Sequence, residues 1–370
     1  MSDAGLSAGE IRAPYMYWAK TRPVTEFDLA ASNMLALSID ELEGAHDALQ
    51  LTAANDEGYG PLLASIAAHY GVTPDRVMTS IGCSGANFLV VAAHVKAGDA
   101  VLMERPGYDP LAGASRLMGA TVHHFERRAE EGFAVKADAI RAALTPATKL
   151  VIVTSPHNPS GATLDRATLE ALDRLSAETG VQILVDEAYL DIARLLRSDP
   201  EWLPRAATLS PRLISTSSLT KSYGLNGLRC GWAVVPPGMS HRLRRTRDVI
   251  DGVGSAPADR LATLAFTQLS RLGQRAVRHV STNLEIVRRF LTAHPELELP
   301  VPLEASILFP RLRGVADTDA FARMAAERFG VTVVPGRFFG APAHLRLSVA
   351  GPTAQLAGGL ERLGAALAAR

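Results

Sequence analysis

At 370 residues the chain exceeds the size at which one hydrophobic core stops growing, so two units, each with a core, are expected. Lysine plus arginine and aspartate plus glutamate balance at 38 each, which excludes the net field that draws a protein to nucleic acid or to an anionic membrane surface. No apolar run reaches the roughly 18 residues needed to cross a bilayer, and the opening MSDAGLSAGEIRAP lacks the plan of a signal peptide. A cytoplasmic protein with small-molecule partners is the expectation.

In chain order, residues 1–40 are assigned to the smaller unit together with 249–370, and 41–248 to the larger. From about residue 75 short apolar runs alternate with amphipathic ones, the pattern of βα units on a mostly parallel sheet. The seven expected strands are RVMTSIG, AVLMER, TVHHFE, KLVIVTS, VQILVDE, RLISTSS and GWAVVPP. Between them, stretches such as DRATLEALDRLSAETG carry helical spacing and stop at glycine. Past residue 250 long helices are expected over APADRLATLAFTQLSRLGQRAVRHVSTNLEIVRRFLTAH, then short strands near ASILFPRL and LRLSVAG and a last helix. The fold class is therefore α/β, a large unit with a mostly parallel seven-stranded sheet flanked by helices, plus a smaller α+β unit. The two cysteines, Cys83 and Cys230, suit neither a disulfide framework nor a zinc site, and no metal is expected.

A sheet of this kind gathers ligands at the carboxyl ends of its strands, and polar oddities collect there. KLVIVTSPHNPSG ends in a turn with Asn158, and VQILVDEAYLD ends a buried strand with Asp186 and, three residues on, Tyr189. A buried carboxylate is costly unless a cation meets it. SLTKSYGLNGLRCGW places Ser218 three residues before Lys221 and Arg229 eight after it, among Gly224, Gly227 and Gly231. In HLRLSVAG, Arg346 interrupts an apolar alternation. An amine, an anion, polar donors and a phosphate cradle together describe the needs of pyridoxal 5'-phosphate.

Over nearly its whole length the chain resembles the class I/II aminotransferases of the aspartate-aminotransferase-like fold. The resemblance implies that Lys221 binds the cofactor as a Schiff base and moves the substrate proton, that Ser218 and Arg229 clamp the phosphate, and that the three glycines let the loop close on it. It makes Asp186 the partner of the pyridine nitrogen, and Asn158 and Tyr189 the partners of the ring hydroxyl. Cys83 and Ser84, where SIGCSGAN opens a helix, would offer backbone amides to the phosphate, Tyr108 would stack on the ring, and Arg346 would grip the substrate α-carboxylate.

A homodimer acting on an amino acid and a 2-oxo acid is also implied. One departure stands out: relatives often bring a partner-subunit tyrosine to the phosphate, but in QLTAANDEGYGPLL the only tyrosine, Tyr59, follows Gly58, so that role is not assigned. Transamination is the expected reaction, with elimination, replacement or cyclisation on the same cofactor as the alternative. A sensor binding the cofactor without turnover is the third reading, against which both Lys221 and Arg346 are present. For the substrate side chain, Arg12 or Arg22 would suit a second carboxylate, and Trp18 with the tyrosines of PYMYWAKTRP an apolar group.

Overall fold

All seven expected strands pair into one sheet in the computed structural model, which describes residues 13–370. They are β1 Val77–Ile81, β2 Ala100–Arg105, β3 Thr121–Glu126, β4 Thr148–Thr154, β5 Gln182–Asp186, β6 Leu213–Ser218 and β7 Cys230–Val234. Their spatial order is β1-β7-β6-β5-β4-β2-β3. β7 runs antiparallel to both neighbours, and every other pairing is parallel. The reason is the connection: residues 219–229 hold only one short helical turn and one 3₁₀ turn, not the crossover helix that a parallel return requires.

The apolar runs of β4 and β5 are continuous because both faces of the sheet are covered. Alternate residues serve opposite cores: Leu150, Ile152 and Leu184 join one cluster, whereas Val151, Val153, Ile183 and Val185 join the other. Each such side chain, once fully buried, contributes about 1.5–3 kcal/mol. Helix α1 (Pro14–Thr21) packs Tyr15 in a cluster with Phe309, Phe338 and Phe339, whereas α2 (Gly82–His94) covers the first face of the sheet and α3 (Arg166–Thr179) the second. α3 begins where the Asp165 carboxylate accepts from the Thr168 amide at 2.8 Å and ends at Gly180 in the left-handed region, the capping that its sequence announces.

The smaller unit contains a three-stranded antiparallel sheet of Ile307–Leu308 (β8), Val334–Pro335 (β9) and Leu345–Ser348 (β10), ordered β8-β10-β9. Helices Leu269–Ala293, Asp319–Phe329 and Thr353–Ala368 contribute residues to its core. Helix Ala256–Thr267, expected with this unit, instead places Leu261, Ala262 and Ala265 in one cluster with Trp232 and Leu62 of the large unit. Segment 27–37 ties the two units: the Ser348 amide donates to the Leu29 carbonyl, Leu35 to Ala350, and Leu37 to Gly224 in the Lys221 loop. That last link carries residues 32 and 33 to the end of β6. Arg12 lies outside the described residues.

Candidate active site

At the carboxyl ends of β4, β5 and β6 lies a cleft of about 380 Å³. Cys83, Ser84, Tyr108, Asn158, Asp186, Tyr189, Ser218, Lys221, Arg229 and Arg346 all line it. Tyr15, one of the tyrosines of PYMYWAKTRP, and Arg22 also line it, and residues not foreseen join them: Ser32, Asn33, Asn87 and Thr154.

The Lys221 amine donates to Asn33 Oδ1 at 2.7 Å and to Ser32 Oγ at 3.1 Å, both neutral oxygens. Burial, aided by the positive charges of Arg346 and Arg229, pushes its pKa down to about 8. A lysine so placed reaches its neutral, nucleophilic form near physiological pH. Ser32 Oγ also receives the Tyr189 hydroxyl at 3.0 Å, so the 27–37 segment orients both groups.

Asp186 ends β5 and is 6% exposed. Its Oδ2 accepts from Asn87 Nδ2 at 2.7 Å, and its Oδ1 from the Ala188 amide at 3.0 Å and the Cys83 thiol at 3.4 Å. Burial raises its pKa, and these donors with Lys221 oppose the rise. Asn158 is set by the Thr154 hydroxyl, which accepts its amide at 3.1 Å. Thr154 is held in turn by the fully buried pair of Glu104 and Arg127, 2.7 Å apart.

Arg346 on β10 has no exposed surface. It donates to Tyr15 Oη at 2.5 Å, to the Ala30 carbonyl at 2.7 Å and to Asn158 Oδ1 at 3.3 Å, and its buried Nε has no partner among the described residues. Tyr108 is half-buried at the start of helix Asp109–Leu117, its ring centroid 6.0 Å from that of Tyr15. At the opposite end, α2 starts without a side-chain cap, and Ser84, Ser218 and Arg229 line the cleft beside its first turn.

The glycines of the lysine loop differ in what they admit. A Cβ at Gly224 would strike the Leu35 carbonyl and one at Gly231 the Gly82–Cys83 backbone, whereas Gly227 borders open space. Two of them admit neighbouring backbone, and the third is a turn residue. Tyr59 stands at the start of helix Gly60–Tyr70 with Arg260 over its ring, away from the cleft.

Asn87 was legible only in hindsight, four residues after Cys83 and so on the same helix face. Ser32 and Asn33 carry no local signal.

These side chains fit pyridoxal 5'-phosphate on their own chemistry. An uncapped helix start beside an arginine suits a phosphate, a buried carboxylate with acceptor capacity suits a protonated ring nitrogen, and a buried amine without an acidic partner among the described residues suits an aldehyde. Comparison with known proteins agrees. A family model for class I and II aminotransferases matches residues 51–363. The capreomycidine synthase of Streptomyces vinaceus is 34% identical over 361 residues, covering 94% of this chain and 92% of its own. Among solved structures, the PLP-dependent cyclase OrfR superposes with a TM-score of 0.86 at 27% identity over 100% of both chains. The aspartate aminotransferase of Thermus thermophilus does so at 0.85 and 25% identity, over 98% of this chain and 97% of its own. With its cleft built to hold pyridoxal 5'-phosphate and the family pattern running from residue 51 to 363, this chain belongs to the class I and II aminotransferases and is a pyridoxal-phosphate-dependent enzyme.

Proposed function

We propose that the enzyme binds an α-amino acid by its carboxylate at Arg346 and moves the proton on its Cα with Lys221. The observation that carries this reading is the Lys221 amine, its pKa lowered to about 8, in one cleft with a buried arginine whose Nε has no partner among the described residues. When bound, the cofactor withdraws electrons from Cα and makes its C–H bond acidic. Arg346 orients the substrate, so that Cα meets the lysine in a fixed geometry. Asn33 and Ser32 hold the amine once it is free to act as a base. Asp186 would face the ring nitrogen. Asn158 accepts from Arg346 through Oδ1, which leaves its Nδ2 to donate to the ring oxygen beside Tyr189. Tyr108 would lie against the ring, and Ser84, Ser218, Arg229 and the first amides of α2, Cys83 among them, would hold the phosphate.

Two fates of the deprotonated substrate have support. Likeness over almost the full length to capreomycidine synthase and to a PLP-dependent cyclase favours ring closure, in which a group leaves the side chain, an internal nucleophile takes its place and the α-nitrogen is kept. Likeness to an aspartate aminotransferase favours amino transfer, in which the substrate departs as a 2-oxo acid and a second 2-oxo acid accepts the nitrogen.

A homodimer belongs to the same proposal. Ile81, Val249, Ile250 and Val253 are exposed, and Arg247, just before the last three, reaches the Thr79 carbonyl two residues before Ile81; such an apolar surface suits a second copy. The division into 41–248 against 1–40 with 249–370 is proposed likewise, and the packing of helix Ala256–Thr267 supports moving its second boundary toward residue 268.

The deciding experiment incubates the holoenzyme with single L-amino acids in D2O, with and without a 2-oxo acid, and follows products by mass spectrometry. A 2-oxo acid that exceeds one equivalent of enzyme only when an acceptor is present means amino transfer, and a cyclic product that keeps its nitrogen but loses a side-chain group means ring closure. If no amino acid exchanges its Cα proton, the common core of the proposal fails.

A further inference from the structure

Behind Asp186 runs a relay of buried side chains with no local signature in the sequence. Thr216, in β6, donates its hydroxyl to Asn87 Oδ1 at 2.6 Å, and Asn87 Nδ2 donates to Asp186 Oδ2 at 2.7 Å. Thr216 is wholly buried and Asn87 is 4% exposed. The three residues come from β6, α2 and β5, so the relay exists only in the folded chain.

The relay has one consistent direction. An amide turned over would set its oxygen against the Asp186 carboxylate, a repulsion with no donor between them. The acceptor-only carboxylate therefore fixes which way the amide faces, and the Thr216 hydroxyl, donating to Oδ1, completes the amide's bonds from the other side and holds it in place. An ionised carboxylate offers about four acceptor positions. The Ala188 amide and the Cys83 thiol take two on Oδ1, and Asn87 takes one on Oδ2. One position on Oδ2 is left for a donor from the cleft.

The geometry points to Asn87, pinned by Thr216, as a positioning residue that keeps Asp186 ionised and turns the remaining acceptor position of its Oδ2 toward the cofactor. This rests on the reading that Asp186 faces the ring nitrogen. A hydrogen bond to a charged group favours the charged form, so the loss of Asn87 makes Asp186 easier to protonate and weakens its hold on a protonated ring nitrogen. The ionisable groups that face Asp186 are Cys83 from α2, Tyr189 and Lys221 from the loops after β5 and β6, and Tyr108 from the start of helix Asp109–Leu117. Among these, Lys221 lowers the carboxylate's proton affinity, and Asn87→Leu leaves all four in place.

The test compares wild-type holoenzyme with Asn87→Leu, Thr216→Val and Asp186→Asn, each checked for folding by thermal unfolding. Cofactor retention is read by dialysis and the acid limb of kcat by a pH profile. Asn87→Leu, close to isosteric, is expected to bind the cofactor about 10- to 100-fold more weakly and to move the acid midpoint up by roughly one to two pH units. Thr216→Val, which leaves the amide present but unpinned, moves both in the same direction by less. If Asp186→Asn weakens binding while the other two variants match wild type in affinity and pH profile, the relay has no positioning role and the proposal is overturned. If Asp186→Asn itself binds the cofactor as wild type does, the assignment of Asp186 falls and takes the relay with it. Should Asn87→Leu fail to fold, Thr216→Val decides alone: a wild-type profile overturns the proposal, and an upward shift supports it.

Discussion

Tyr15 and Arg346 meet, both buried, in the lining of the cleft: the guanidinium donates to the tyrosine hydroxyl at 2.5 Å and also lies 4.9 Å from the centroid of its ring. The two residues belong to opposite ends of the chain, α1 and β10. Tyr15 takes part of the guanidinium, and Nε has no partner among the described residues, so Tyr15 would set the angle at which the proposed substrate carboxylate is met.

Replacing Arg346 with lysine removes the planar fork while keeping the charge. KM for the amino acid is expected to rise roughly 10- to 100-fold. Tyr15→Phe, which keeps the ring and loses one hydrogen bond, raises it less. Steady-state kinetics on both variants check this, and an unchanged KM in Arg346→Lys would remove Arg346 from the carboxylate site.

Lys221→Ala is expected to lower turnover by roughly 10²–10⁴-fold through the loss of the base alone. The wild-type lysine also sets a pH dependence. Its pKa is lowered to about 8, chiefly by burial, so the fraction of neutral amine rises with pH and levels off above that value. The rate at which apoenzyme takes up pyridoxal 5'-phosphate, followed by visible absorbance, should show the same rise. A flat profile between pH 6 and pH 9 would count against it.

Asp191 lies two residues beyond Tyr189 and is buried against Arg205, His69 and Tyr223. Burial alone would raise its carboxyl pKa, and the charges of Arg205 and His69 reverse this and hold it well below the usual range. A depressed folded-state pKa contributes stability that is present above the unfolded value, about 3.9, and is lost as pH falls below it. Asp191→Asn strands Arg205 in the interior and should cost about 3–5 kcal/mol. Urea unfolding at neutral pH measures the loss, and a repeat at pH 3 should show the difference between variant and wild type shrinking.

Gly82 opens α2 with φ +71°, and a Cβ there would collide with the Arg229 guanidinium. Gly82→Ala therefore carries about 1–2 kcal/mol of backbone strain and displaces an arginine proposed for the phosphate. Cofactor affinity should fall at least tenfold, read by dialysis, and affinity equal to wild type would place the phosphate elsewhere.

Sequence alone determined the elements and the chemistry that local pattern can carry. β4 and β5 were legible because a strand buried on both faces must be apolar throughout, and Lys221 because its neighbours at three and eight residues are tied to it by one loop. Tertiary structure decided the rest. Lys221 finds Ser32 and Asn33 across 189 and 188 residues of chain, Asp186 finds Asn87 across 99, and Arg346 finds Tyr15 across 331. No spacing rule encodes such pairs, because they arise only when separate elements pack and bring polar atoms together out of water. The same holds for Gly224 and Gly231, whose need is set by the backbone that arrives against them, and for helix Ala256–Thr267, whose apolar face does not say which core it will join.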